Sequence, residues 1–77
     1  MRLLLYTKPV CHLCDEARDM VREVVGGDVL LEEVDISNDE MLTGRYGKSI
    51  PVLRRADDGT EIAWPFGPGD VAQLVSM

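Results

Sequence analysis

Residues 6–14 read YTKPVCHLC, and this stretch decides how the rest of the chain is interpreted. It sets two cysteines, Cys11 and Cys14, three positions apart, shortly after an apolar run at residues 2–6. That run is too short for a helix, so we predict a first strand there, followed by a turn that contains Pro9. The cysteine pair therefore falls where a strand gives way to the next element.

The apolar residues change their period after the turn. They recur at residues 13, 17, 20, 21, 24 and 25, which is the spacing of one face of a helix. Gly26 and Gly27 predict the end of this helix, because glycine readily adopts the left-handed backbone conformation found at many helix C-termini. We therefore expect Cys11 at the start of a helix, with Cys14 about one turn inside it.

Three further strands are predicted, at residues 29–36, 51–55 and 60–64. The last two flank a four-residue segment that ends in Asp58-Gly59, and an Asp-Gly step between apolar runs favours a hairpin turn. A strand, a helix and a second strand in succession imply a right-handed crossover and a parallel pair. The hairpin then adds two antiparallel strands to this pair.

Two more helices complete the pattern. Ser37 and Glu40 have the spacing of a capping box, which predicts a short helix that Gly47 ends. A last helix is predicted to begin near Asp70. The order βαβαββα predicts an α/β fold in which helices pack on a four-stranded mixed sheet.

Length and charge limit the classes of function. The chain has 77 residues, so we expect one domain over residues 1–77. Its net charge is −6, with 8 basic and 14 acidic residues, which argues against nucleic acid or anionic lipid as a partner. The longest apolar run is too short for a membrane span or a signal peptide. We expect a soluble, cytoplasmic monomer.

The cysteine pair has three interpretations: redox exchange, metal binding or an inert pair. A structural staple is the weakest explanation, because cytosolic thiols are kept reduced and a loop this short restrains little of the unfolded chain. Zinc takes four ligands, and the chain offers two cysteines and one histidine, so a zinc site would require a dimer. Redox exchange is the interpretation that we favour.

The same stretch resembles the active-site run of glutaredoxins, Y-[S/T]-K-x-x-C-P-[Y/F]-C. Residues 50–52, IPV, resemble the T-V-P segment that carries a cis proline in that family, and the element order resembles the thioredoxin fold at glutaredoxin size. His12 and Leu13 depart from the usual residues between the cysteines, and residues 64–70, WPFGPGD, stand in place of the glutathione-gripping loop. In these features the chain is similar to small bacterial glutaredoxin-like proteins of the C-H-L-C type.

This resemblance implies a thiol–disulfide oxidoreductase with no bound metal or organic cofactor. Its substrate would be a protein or small-molecule disulfide, and glutathione or a protein reductase would supply the electrons. Two alternatives remain open: a thioredoxin-fold binding module whose cysteines stay idle, and a dimeric carrier of an iron–sulfur cluster.

Position assigns the two cysteines different roles. Cys11 lies beside the unpaired N–H groups of a helix start, whose partial positive charge favours a thiolate, and Lys8 adds a full positive charge three residues away. Asp15 and Glu16 oppose this effect, and we expect both to point to solvent. Cys11 should therefore attack a substrate disulfide, and Cys14 should resolve the mixed disulfide.

Five other residues are candidates for the site. Lys8 is either a thiolate partner and glutathione carboxylate contact or a solvated loop residue. His12 either makes the disulfide more oxidising when it is protonated or has no role. Pro51 is expected to be cis and to aim the backbone of Ile50 at an incoming disulfide, whereas Asp70 is either an N-cap or a substrate contact.

The sequence also predicts the location of four side chains outside the site. We expect Tyr6 in the core, Trp64 and Phe66 as cover for the core, and Arg18 in solvent rather than in an ion pair.

Overall fold

The computed structural model of the protein describes residues 1–76 and contains four strands. They are β1 (Arg2–Thr7), β2 (Leu30–Asp35), β3 (Val52–Arg55) and β4 (Glu61–Ala63). The strand order is β2-β1-β3-β4, with β1 parallel to β2 and antiparallel to β3, and with β3 and β4 joined as an antiparallel hairpin. The predicted mixed sheet and its hairpin are confirmed.

Three α-helices connect and flank the strands. They are α1 (His12–Val25), α2 (Glu40–Tyr46) and α3 (Pro68–Val75), so the predicted order βαβαββα is also confirmed. α1 ends at Gly26, whose φ of 67° lies in the left-handed region that glycine adopts without strain. No helix in residues 1–76 has the length and apolar content needed to cross a membrane.

The sheet separates two apolar clusters. The larger one lies between the sheet and the pair α1 and α3, and its buried members are Leu3, Leu5, Ala17, Val21, Leu53, Phe66, Val71 and Leu74. The smaller one lies under α2 and is formed by Tyr6, Ile36, Tyr46 and Val52. Tyr6 and Phe66 are therefore core residues as predicted, and the half-buried Trp64 packs against the larger cluster.

The apolar face of α1 begins one residue later than the periodicity indicated. Leu13 is 44% exposed, whereas Cys14 is only 3% exposed and takes the inward position in the first turn. Counting apolar residues misplaced Leu13, because cysteine also packs as a small apolar side chain. The helix thus buries Cys14, Ala17 and Val21 against the sheet.

Two helix starts differ from the prediction. Asp39 caps α2 by accepting a hydrogen bond from the Leu42 N–H at 3.1 Å. The backbone N–H and hydroxyl of Ser37 instead donate to the Asp35 carboxylate, and these hydrogen bonds lower the pKa of Asp35. α3 begins at Pro68 rather than at Asp70, because proline is well suited to the first turn of a helix.

Candidate active site

Cys11 and Cys14 form a disulfide where β1 passes into α1. Cys11 is the N-cap of the helix, with an extended backbone, and its Sγ accepts a hydrogen bond from the Cys14 N–H at 3.2 Å. Cys11 is half-buried, whereas Cys14 is almost completely enclosed. The outer sulfur is therefore the one that an incoming molecule can reach.

The loop between β1 and α1 turns the chain sharply. Val10 has a φ of 54°, a left-handed conformation that is unusual for a β-branched residue, and its side chain is fully exposed. This turn places Cys11 at the N-terminus of α1, where its Sγ accepts the Cys14 N–H. Cys11 therefore lies at the positive end of the helix, where the sequence placed it, and its role as a nucleophile stays a prediction.

The charged residues near the disulfide mostly face solvent. The Lys8 side chain is exposed, and the imidazole of His12 is 87% exposed, with its Nε2 4.0 Å from Glu16 Oε2. The Asp15 and Glu16 side chains are 63% and 52% exposed, as expected. Their electrostatic effect on Cys11 is therefore screened by water.

Arg18 is not simply solvated, and this expectation was wrong. Its guanidinium lies 3.3 Å from the Asp15 carboxylate, 3.2 Å from that of Asp19 and 3.8 Å from that of Glu33. Glu33 belongs to β2, so only the packing of α1 on the sheet brings this third partner within reach. Arg18 therefore joins the helix that carries the cysteines to the neighbouring strand.

The Ile50–Pro51 peptide bond is cis, as predicted. Because Tyr6 pairs with Val52, the chain leaves β1 and enters β3 at the same end of the sheet, which brings the proline segment to the end where the cysteine loop begins. Pro51 is buried, and its carbonyl accepts a hydrogen bond from the Trp64 N–H at 3.0 Å. Ile50 is half-buried, and its contact with a substrate stays a prediction.

Asp70 completes the cap of α3 from the third position of that helix. Its carboxylate accepts a hydrogen bond from the Gly67 N–H at 2.8 Å. The side chain also lines a shallow pocket of about 110 Å³, together with Thr60, Ile62, Gln73 and Leu74. Asp70 therefore has a structural role in capping, although it is not the N-cap residue itself, and its role with a substrate stays a prediction.

Sequence reasoning missed a polar cluster that supports the proline segment. The Tyr46 hydroxyl donates to Glu61 at 2.8 Å and lies 3.4 Å from the Arg54 guanidinium. Burial, reinforced by the hydrogen bond to Glu61, raises the pKa of Tyr46. The Tyr46 carbonyl accepts hydrogen bonds from the N–H groups of Ser49 and Ile50, so this residue anchors the segment that leads to Pro51.

A second cis bond, Trp64–Pro65, was also missed. The Trp-Pro step was the only signal in the sequence, and most X-Pro bonds are trans. Within residues 1–76, no three His, Cys, Asp or Glu side chains come together in a group that could hold a metal ion.

Solved structures similar to this chain share its fold. The X-ray structure of the structural genomics target protein XcR50 from X. campestris is 34% identical, with a TM-score of 0.83, and the match covers 96% of this chain and 95% of that one. Its solution structure gives a TM-score of 0.84 at the same identity, over 99% of this chain and 94% of that one. A malarial protein, 20% identical over 97% and 92% of the two chains, has a TM-score of 0.64 and supports the fold alone.

Among curated proteins, none matches this chain. The family comparison is decisive, because residues 2–76 match the glutaredoxin-like domain family (DUF836). That match covers nearly the whole chain and includes both cysteines and the cis proline. With a thioredoxin-like fold and a Cys11–Cys14 disulfide at the start of its first helix, the chain belongs to the family of glutaredoxin-like domains.

Proposed function

We propose that this protein is a glutaredoxin-like thiol–disulfide oxidoreductase. The observation that carries the proposal is the asymmetry of the cysteine pair: Cys11 Sγ lies at the helix N-cap, and Cys14 is buried behind it. An accessible sulfur at the positive end of a helix suits a nucleophile, and an enclosed partner suits a resolving thiol.

The reaction follows from this geometry. The Cys11 thiolate attacks one sulfur of a substrate disulfide, the substrate S–S bond breaks, and the released substrate thiolate takes a proton. Cys14, after losing its own proton, then attacks Cys11 Sγ, breaks the mixed disulfide and releases the second substrate thiol. The substrate gains two electrons and two protons, and the protein is left with the Cys11–Cys14 disulfide.

The other candidate residues have supporting roles in this proposal. Lys8 adds positive charge near the thiolate, His12 adjusts the reduction potential, and Pro51 holds Ile50 where an extended substrate can pair with it. Asp70 contacts the substrate in addition to capping α3. We propose that glutathione or a protein reductase restores the dithiol, that no cofactor is bound, and that the protein acts as a cytoplasmic monomer.

Intact mass in glutathione redox buffers tests the proposal. The wild-type protein should lose two hydrogens reversibly as the buffer becomes oxidising, and a Cys14→Ser variant should gain one glutathione on Cys11. A reversible disulfide without glutathione capture would retain the oxidoreductase and indicate a protein reductant. If no disulfide forms at any buffer potential, the protein is a binding module or a cluster carrier instead.

Anaerobic reconstitution with iron and sulfide separates those last two alternatives. A coloured, dimeric product would indicate that two chains share a cluster. A colourless monomer with unreactive cysteines would indicate a binding module.

A further inference from the structure

Two apolar side chains directly precede the two cysteines, and both are exposed. The Val10 side chain is fully exposed, and Leu13 is 44% exposed. Neither residue belongs to either of the two apolar clusters of the core. We call this pair, Val10 and Leu13, the apolar rim.

The backbone of Val10 is strained as well as its side chain exposed, and neither feature stabilises the fold. A φ of 54° is strained for a β-branched residue, whereas glycine or asparagine adopts this conformation at little cost. Val10 therefore combines backbone strain with full exposure of an apolar side chain. Strain of this kind is typical of residues that are held for a function.

The helical side of the rim is acidic. Glu16 lies one helical turn beyond His12. Its side chain is 52% exposed, and its Oε2 lies 4.0 Å from the His12 Nε2. Asp15 is also exposed, although Arg18 offsets part of its charge from 3.3 Å. Lys8, on the strand side of Cys11, is an exposed cation, and the chain as a whole carries a net charge of −6. A positively charged partner is therefore favoured on the helical side.

We propose that the substrate is a protein disulfide with an apolar side chain next to its cysteine and a Lys or Arg close by. The apolar rim contacts the apolar side chain, and Glu16 attracts the cation. This inference rests on the proposed exchange reaction and specifies its substrate class. Val10 and Leu13 touch the substrate and act as specificity residues, while the bonds that form and break are those described above.

Synthetic disulfide peptides test this specificity. One pair differs in having Leu or Ser beside the cysteine, and a second pair has Lys or Glu two residues away. Bis(2-hydroxyethyl) disulfide, which is neutral and has no side chains, serves as the reference for the chemistry. The quantity compared is kcat/KM for each peptide divided by the value for this reference.

The rim variants are Val10→Asn and Leu13→Gln. Each should lower the preference for the Leu peptide over the Ser peptide by about three- to tenfold, because part of one apolar contact is lost. Val10→Asn should keep or raise the midpoint of thermal unfolding, so a loss of preference cannot come from unfolding. Leu30→Gln is the matched control, since Leu30 is 59% exposed and lies at the opposite end of β2 from the cysteines.

The charge variant is Glu16→Gln. It should reduce the preference for the Lys peptide over the Glu peptide by about two- to fivefold at low salt, in keeping with an exposed ion pair. Glu23→Gln removes the same charge two turns further along α1 and is its control.

If the rim and charge variants lose kcat/KM equally on the peptides and on the reference disulfide, the proposed substrate class is wrong and the proposed oxidoreductase activity stands. Equal kcat/KM values for the two peptides of each pair in the wild-type protein would also show that the proposed substrate class is wrong. If the wild-type protein reduces none of these disulfides, the proposed function itself is wrong.

Discussion

Cys11 serves at once as a helix cap and as the accessible sulfur of the disulfide. Its Sγ accepts the Cys14 N–H, the kind of backbone donor that a serine or aspartate would otherwise satisfy at an N-cap. Sulfur is a weak acceptor, so this N–H group remains ready to stabilise a full negative charge when the disulfide is reduced. Capping and the activation that we propose for a Cys11 nucleophile would thus depend on the same backbone geometry.

The two cysteines should react at very different rates. At neutral pH we expect iodoacetamide to modify Cys11 in a reduced Cys14→Ser variant at least about tenfold faster than it modifies Cys14 in a Cys11→Ser variant. The physical reason is exposure together with the helix terminus, because Cys14 is only 3% exposed. Mass spectrometry over a time course measures both rates, and similar rates would contradict the assignment of nucleophile and resolving thiol.

At the scale of elements, Tyr46 connects α2 to the sheet and to the proline segment. Its ring stacks on Tyr6 with a centroid distance of 4.6 Å, and its hydroxyl donates to Glu61 on β4. The ring and the hydroxyl therefore make separable contributions to stability.

Removing the Tyr46 hydroxyl tests its contribution to stability separately from that of the ring. Tyr46→Phe should lower the free energy of unfolding by about 0.5–1.5 kcal/mol, because the hydrogen bond to Glu61 and the longer one from Arg54 are lost while the stacked rings remain. Urea unfolding measures this loss. Tyr6→Phe is the matched control, since the structure shows no hydrogen bond from the Tyr6 hydroxyl within residues 1–76, and an equal loss in both variants would contradict the assignment.

Arg55 joins the hairpin to the last helix. Arg55 is only 6% exposed, and its guanidinium donates two hydrogen bonds to Asp57, at 2.9 and 2.7 Å, and one to the Leu74 carbonyl, at 2.9 Å. The hydrogen bonds from Arg55 lower the pKa of Asp57 to about 2. One side chain thus links β3, the hairpin turn and α3.

Because of this link, the free energy of unfolding should change with pH in the acid range. The pKa of Asp57 is lower in the folded protein than its unfolded value of about 3.9, so its contribution is complete above that value and disappears as the pH falls towards about 2. Urea unfolding should show Asp57→Asn to be less stable than wild type at pH 7, with a smaller difference at pH 2.5. In an Arg55→Gln background the substitution should have little effect at either pH, and a difference that persists there would exclude Arg55 as the cause.

At the scale of the molecule, the disulfide lies at one end of the sheet and closes a very short loop. Its Cα atoms are 5.2 Å apart, and the helix backbone continues directly from Cys11 into α1. Because a loop this short restrains little of the chain, we expect the two apolar clusters to pack in the same way without the bond.

Reduction should therefore leave the fold intact. We expect far-ultraviolet circular dichroism to be the same in the oxidised and dithiothreitol-reduced protein, and amide chemical shifts to change mainly around residues 8–18. Changes spread through β4 or α3 would contradict this expectation and would indicate that the redox state controls the whole domain.

Local patterns in the sequence determined much of this protein. Apolar period, glycine positions, the Ser37–Glu40 spacing and the Asp58-Gly59 step predicted the four strands and three α-helices in order, because each depends on neighbouring residues. The C-x-x-C spacing and the resemblance around it indicated the disulfide and the cis bond at Pro51. These features can be predicted without knowing which elements contact one another in the folded protein.

Tertiary structure alone decided the rest, because burial and side-chain partners depend on residues distant in the chain. Leu13 faces solvent since the sheet lies under Cys14, and Arg18 reaches Glu33 only because α1 packs beside β2. The link from Arg55 to Leu74 likewise spans 19 residues. No local spacing specifies such contacts, since they form only when the folded sheet brings separate elements together.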